Sequence, residues 1–279
     1  MRLGFVGLGN AGGPMAGQLI EAGHELVVHD QDPERTAAFA AEHGATMGER
    51  PERFAGVKVL FTMLPHGGVV REVLLGHDGI AQHLERGAIV IDTSSSDPIG
   101  TRALAAELAE LGILLVDAAV SEARVGDAKR GAITFIVGAD DEAAFATVTP
   151  LLEVMGAHIF RVGPSGSGHA MKTLNNFISA SGLHAALDAL IAGQLWGLDL
   201  ATMLDALNVS TGRNLSTEGT MKHKALPRTF EPRYSLGLLA KDLGIAGALA
   251  RHTGFESGLF GLLERDFAAA RDDVGDEHD

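Results

Sequence analysis

Cysteine is absent from this 279-residue chain, and tryptophan and tyrosine occur once each. Without a thiol there is no disulfide, no thiolate metal site and no cysteine nucleophile. Basic residues are in deficit: 22 Lys and Arg stand against 36 Asp and Glu, for a net charge of −14. Such a surface repels phosphate backbones, which excludes nonspecific nucleic-acid binding as a function class. No uninterrupted apolar run reaches the length that spans a bilayer, so no membrane partner is expected. The 12 histidines show no paired ligand spacing, and no metal site is expected from them. The first strand-like segment begins at Leu3, leaving no room ahead of it for a targeting peptide, and a cytoplasmic setting is expected. An apolar share of 46% and a charged share of 21% suit a globular enzyme, at a length that suits two domains.

What is present begins with glycine. A short apolar strand runs into Gly7-x-Gly9-x-x-Gly12, a helical pattern follows from Pro14 to Ile20, and a second apolar run ends at Asp30. Strand, glycines, helix, strand and terminal acid form the βαβ dinucleotide fingerprint. Gly7 permits the tight turn, Gly9 lets backbone approach a pyrophosphate, and Gly12 lets helix and strand pack closely. N–H groups at the helix start favour the phosphates. Asp30 is placed to accept from a ribose 2′-hydroxyl and to repel a 2′-phosphate, so NAD is expected in preference to NADP. Arg35 is the one side chain nearby with the charge to reach a phosphate.

From residue 1 to 162 short β-like runs alternate with helical stretches. The pattern predicts an α/β, doubly wound Rossmann domain with a largely parallel sheet. Strands are expected at 3–6, 25–29, 57–63, 88–91, 114–116, 133–137 and 158–161. After the fourth comes Thr93-Ser-Ser-Ser96, read either as hydroxyls beside a nicotinamide ribose or as a helix N-cap cluster before Pro98. Residues 163–279 carry helical patterns and no convincing strand, predicting an all-α domain for substrate and oligomerisation. His169 to Trp196 lacks proline and predicts one long interdomain helix, roughly forty ångströms at the standard rise. Its apolar surface implies a homodimer or homotetramer. The acidic stretch from Asp266 to Asp279 reads as a solvated end.

Lys172 and Asn176 stand four residues apart in that helix, so both side chains share one face. A lysine exchanges protons with a hydroxyl, and an asparagine holds an oxygen or an amine without changing charge.

Gly4-Phe-Val-Gly-Leu-Gly-Asn-Ala-Gly12, Thr62-Met-Leu-Pro65, Ile91-Asp-Thr-Ser-Ser95, Asp117-Ala-Ala-Val-Ser121, Gly166–Asn176 and Lys241-Asp-Leu-Gly244 occur in the order of one family. On these motifs the chain resembles the β-hydroxyacid dehydrogenases, of the 3-hydroxyisobutyrate dehydrogenase and tartronate semialdehyde reductase type. The resemblance implies an NAD-dependent oxidoreductase that interconverts a short β-hydroxy acid and its semialdehyde or keto form. It implies Lys172 as the catalytic acid/base and Asn176 beside it, with Asn175 a second polar site residue. Ser121 would help to bind the substrate carboxylate, and Tyr234 lies where relatives often place a Phe near the substrate. Around the cofactor it implies Gly7, Leu8, Gly9, Asn10, Ala11 and Gly12, with Met63, Leu64 and Pro65 over the adenosine. Ser95 and Lys241 would reach the cofactor from elsewhere.

One departure bears on the substrate. Relatives continue Asp-Ala-Pro-Val-Ser-Gly-Gly, whereas this chain has Glu122 and Ala123 in place of the glycine pair, followed by Arg124. Glu122 disfavours a nearby carboxylate unless Arg124 neutralises it, and Arg124 suits an acidic head group. Two competing readings share the architecture. Imine reductases commonly place another residue at the lysine position, and non-catalytic NAD-binding scaffolds have typically lost the lysine; Lys172 argues against both.

Overall fold

The structure, a computed structural model, describes residues 1–122, 133–229 and 234–278. It divides into two compact units, Met1–Lys172 and Thr173–Asp279.

The first unit is built on an eight-stranded sheet. Its strands are β1 (Arg2–Val6), β2 (Glu25–His29), β3 (Thr46–Met47), β4 (Val59–Thr62), β5 (Ile89–Asp92), β6 (Leu114–Glu122), β7 (Ile133–Ala139) and β8 (Gly156–Gly163). Their spatial order is β3-β2-β1-β4-β5-β6-β7-β8, and every pairing is parallel except that of β6 with β7. The seven expected strands are all present; the two-residue β3 is additional. Reversal of strand order between β1 and β4 creates the crevice at which α/β sheets bind ligands.

Strand residues alternate between two cores, as a two-residue side-chain period requires. Leu3, Phe5, Leu26, Val28, Phe61 and Ile91 enter one cluster, with Met15 and Leu19 of α1 (Gly12–Glu21) and Val148 and Leu152 of α5 (Glu142–Met155). Val6, Val27, Leu60 and Val90 point the other way, against Val70 and Leu74 of α3 (Gly67–Leu75) and Leu104 and Leu108 of α4 (Pro98–Glu110). Each such burial stabilises by about 1.5–3 kcal/mol, and both faces of the sheet are covered. Helix α2 (Pro33–His43) begins at a side-chain cap from Asp32 and ends on Gly44 in the left-handed conformation.

Helix α6 (Ser167–Leu195) is the long helix expected from the uninterrupted Ala and Leu pattern, and the boundary between units falls within it. The second unit continues with α7 (Leu200–Asn208), a π-helical segment at Ser216–Ala225, α8 (Leu236–Thr253) and α9 (Gly258–Val274). No strand occurs among its described residues. Ala180, Leu236, Ala240, Leu243, Leu263 and Phe267 form one core, and Ala186, Leu190, Leu204 and Met221 another. The acidic end is therefore not wholly solvated, because α9 extends to Val274 and Phe267 is buried. Among the described residues, no helix is long and apolar enough to cross a membrane.

Candidate active site

The three glycines of the fingerprint divide by what constrains them. Gly7 has φ +99°, and a Cβ there would meet the Met63 carbonyl oxygen at 2.1 Å. A Cβ on Gly12 would lie 2.0 Å from the Gly7 carbonyl oxygen. Packing of the protein itself forbids side chains at both. At Gly9 a Cβ would meet nothing within 4 Å, so only a ligand can demand that this position stay bare. Asn10 is exposed and Ala11 half-buried at the tip of the same loop. Helix α1 starts at Ala11 without a side-chain cap, whereas α2, α4 and α5 start on Asp32, Asp97 and Asp141, which cap them. No side chain covers that helix start, although Gly13 N donates to the Gly9 carbonyl at 2.9 Å and Pro14 has no N–H to offer.

Asp30, at the end of β2, is 7% exposed. Its carboxylate accepts from Leu8 N at 2.7 Å, Asp32 N at 3.0 Å and Arg35 Nη1 at 3.0 Å. The Leu8 N–H is thus spent within the protein. Burial pushes the Asp30 carboxyl upward, but those backbone donors and the Arg35 charge together outweigh it and hold the group below its ordinary value. Arg35 is committed to Asp30 and lies 3.5 Å from Asp32 as well, which turns it away from the role of phosphate ligand. A cavity of about 280 Å³ lined by His29, Glu49, Arg50, Glu72 and His77 adjoins this end of β2.

The loops after β4 and β5 are tied together through Asp92, which is 1% exposed. Thr62 Oγ1 donates to Asp92 Oδ1 at 2.9 Å, and Ser96 Oγ donates to Oδ2 at 2.8 Å. Leu64 N donates to Ser94 Oγ at 2.8 Å, and Met63 N to the Val6 carbonyl at 2.9 Å, fixing the loop that holds Met63, Leu64 and Pro65. Ser94 and Ser96 are buried, while Ser95 is exposed at the rim of the crevice. The serines do not cap α4: Asp97 does, accepting from Ile99 N and Gly100 N. The cap reading of the serine cluster is corrected accordingly.

Asp117 and His169 anchor the start of α6. Asp117 Oδ1 accepts from Gly166 N at 2.6 Å and Oδ2 from His169 N at 2.8 Å, while the side chain is wholly buried. Burial pushes the Asp117 carboxyl above its ordinary value; His169 and the backbone donors pull the other way. The His169 ring meets Thr101 Oγ1 at 2.8 Å, and its Nε2, without a hydrogen-bond partner among the described residues, lies 3.8 Å from Asp92 Oδ2. Three residues beyond His169, Lys172 Nζ donates to Ser121 Oγ of β6 at 3.3 Å. This network was not anticipated from sequence, because its members lie dozens of residues apart and no local spacing announces them.

Glu122 ends β6, paired with Ile133. Ala123 and Arg124 lie outside the described residues. In the second unit, Asn176, Tyr234 and Asp242 converge. Asn176 Nδ2 lies 2.7 Å from Asp242 Oδ2, and the Tyr234 hydroxyl donates to that same oxygen. Lys241 Nζ is 3.4 Å from Asp242 Oδ1, and Asn175 Nδ2 is 3.3 Å from Asn176 Oδ1. Asp242 entered the sequence reading only as the neighbour of Lys241; its spacing from Asn176 carries no signal. Asn214 caps the π-helical segment, accepting from Ser216 N and Thr217 N, and Arg213 pairs with Glu218 at 3.6 Å. Among the described residues, no group of three or more His, Cys, Asp or Glu is arranged to hold a metal.

These features fit a dinucleotide: an open position at Gly9, an uncapped helix start, and a buried carboxylate at the ribose end. Comparison with known proteins agrees. Residues 2–163 match the NAD-binding domain of 6-phosphogluconate dehydrogenase, and residues 166–279 match a family described as NAD-binding of NADP-dependent 3-hydroxyisobutyrate dehydrogenase. The chain is 35% identical to 2-(hydroxymethyl)glutarate dehydrogenase of Eubacterium barkeri, over 88% of this chain and 81% of that one. It is similar in structure to Mycobacterium tuberculosis 3-hydroxyisobutyrate dehydrogenase with L-serine, at TM-score 0.88 and 30% identity, covering 99% of this chain and 95% of that one. A Streptomyces aurantiacus imine reductase, at TM-score 0.64 and 18% identity over 99% of this chain and 96% of that one, shares the fold alone. The chain belongs to the β-hydroxyacid dehydrogenase family and is an NAD-dependent oxidoreductase of hydroxy acids.

Proposed function

We propose that this enzyme interconverts a 2-substituted 3-hydroxypropionate and its semialdehyde, with Lys172 moving the proton. The observation that carries the reading is the hydrogen bond from Lys172 Nζ to Ser121 Oγ at 3.3 Å, at the carboxyl end of β6. It sets an amine beside a hydroxyl that is suited to a carboxylate. 3-Hydroxyisobutyrate, 2-(hydroxymethyl)glutarate and L-serine, named with the similar proteins, share one skeleton: a primary alcohol on the carbon next to the one bearing the carboxylate. Only the substituent at that second carbon changes.

When bound, NAD supplies or takes the hydride. Lys172 accepts the hydroxyl proton during oxidation and returns it to the carbonyl oxygen during reduction. Ser121 orients the acid, and Gly7 to Gly12, Asp30, Met63 to Pro65 and Ser95 hold the cofactor. From the second unit the family resemblance adds Asn175, Asn176 and Tyr234 as substrate-binding residues and Lys241 as a cofactor-binding one. Asp30 selects the free 2′-hydroxyl of NAD, and Arg35, engaged with two carboxylates, does not rescue NADP. In this reading the first unit binds the cofactor and the second contributes to substrate binding and to oligomerisation.

Exposed apolar side chains on and just after α6 support a homodimer or homotetramer: Ile178 is 67% exposed, Leu195 85% and Trp196 86%. Such a patch is costly in water and suits a subunit interface. A chain without cysteine suits a cytoplasmic enzyme.

The test is a panel of 3-hydroxyisobutyrate, 2-(hydroxymethyl)glutarate, L-serine and a hydroxysulfonate, each with NAD and NADP, following absorbance of the reduced nicotinamide. Turnover of at least one carboxylic member with NAD is expected. Activity confined to the sulfonate, or to NADP, contradicts the reading.

A further inference from the structure

The Asn176 carboxamide has a fixed polarity within the second unit. Its Nδ2 faces Asp242 Oδ2 at 2.7 Å and lies 3.5 Å from the Tyr234 hydroxyl oxygen. An ionised carboxylate has no proton to give, so only the amide nitrogen can face it. The Tyr234 hydroxyl is bound by the same logic: it donates to Asp242 and turns its lone pairs toward the amide. Burial first, and then the Asp242 charge, push the Tyr234 phenol above its ordinary value of 10.0, so it remains a donor. Asp242 is itself 4% exposed and cannot exchange these partners for water at no cost. The amide oxygen is left on the opposite side, where the exposed Asn175 approaches at 3.3 Å.

We infer that Tyr234 and Asp242 are positioning residues that hold Asn176 as a hydrogen-bond acceptor, so that an N–H or O–H presented to its amide oxygen is matched and a second acceptor is refused. The inference rests on the reading that Asn176 belongs to the active site. It also gives the one tyrosine of the chain a task. The hydroxyl locks the carboxylate that locks the amide.

An exchange of polarity tests it. Asn176→Asp alone sets two carboxylates against each other and removes the amide nitrogen, and turnover should fall by about a hundredfold or more. Adding Asp242→Asn restores a nitrogen facing an oxygen, with an acceptor again presented outward, and should bring turnover back to within about tenfold of the parent. Tyr234→Phe should lower kcat by about tenfold, with NAD affinity and Tm held. The loss should fall on kcat and leave KM near the parent value, as a lost orientation rather than a lost contact requires. Failure of the double variant to exceed Asn176→Asp, with Tm and NADH binding at parent levels, overturns the inference. So does a Tyr234→Phe enzyme with unchanged kcat, a measurement that stands even if the double variant does not fold. Lys172→Ala separates the two levels: if it is active the functional reading has failed, and if it is inactive while the exchange does not rescue, only the polarity argument has.

Discussion

Arg35 Nη1 donates to Asp30 Oδ1 at 3.0 Å, so this cation is held by the carboxylate that, in the proposed function, rejects a 2′-phosphate. Replacing Asp30 with Ala releases the arginine and also strips Leu8 N and Asp32 N of their acceptor. Losing a hydrogen bond to a charged group costs about 1.5–3 kcal/mol, so NAD should bind about 10- to 100-fold more weakly. NADP should gain relative to NAD, as read from kcat/KM for both. Arg35→Ala should leave NAD use nearly intact, because the arginine side chain is 47% exposed and the pair is worth little on its own.

The glycine loop supplies a cleaner separation of folding from binding. Gly9→Ala meets no protein atom within 4 Å, so Tm without cofactor should not move while NAD affinity falls by tenfold or more, roughly one lost close approach. Gly12→Ala drives a methyl into the Gly7 carbonyl oxygen and should lower Tm even without cofactor. Thermal melts and NAD titrations on both variants check this. A Gly9→Ala protein that melts early would show that the loop is packed rather than open.

Acid should weaken this site in a defined order. The folded Asp30 carboxyl sits below its ordinary value of 3.8, so its contribution to stability is present above that value and is lost as pH falls through the lower, folded one. NAD binding should therefore show no pH dependence from Asp30 at and above mildly acid pH. The difference in stability between parent and Asp30→Asn should be flat down to that range and shrink below it, measured by denaturant melts. Asp117 runs oppositely. Its folded value is raised, so its contribution is fully present below the unfolded value and is lost as pH rises through the folded one.

Removing Asp117 should nonetheless destabilise, because its two oxygens satisfy two backbone donors at the start of α6. Asp117→Asn turns an amide nitrogen toward one of those N–H groups. A cost of about 3 kcal/mol is expected, with Lys172 displaced along with its helix and turnover reduced beyond what the lower Tm explains.

Much of this architecture is written in short-range pattern, and what escaped is long-range. Gly7 to Gly12 and Asp30 declare their fold locally, because turn, close approach and helix start each restrict residue type within a few positions. The four-residue spacing of Lys172 and Asn176 sets both on one face of α6, but it is the surrounding motifs and not the spacing that single them out. Strand β3 is not, since two residues carry no periodicity, and neither is the antiparallel turn of β7 against β6, which depends on tertiary placement. The serines after β5 resemble a helix cap in composition, but Asp97 is nearer the helix and wins the N–H groups. Asp92, Asp117 and His169 meet only after the sheet forms, so no window of sequence contains their relation. Asp242 is a sharper case: it stands within a motif, yet its tie to Asn176 across 66 positions appears only in three dimensions.

The most direct test of the account is Lys172→Ala, assayed for turnover with the best substrate of the panel and for NAD binding by titration. Turnover should fall by about a thousandfold, within the range of a lost general acid/base, while NAD affinity and Tm stay at parent values. Turnover within a few-fold of the parent, with NAD bound equally well, would contradict the assignment of the proton to this amine.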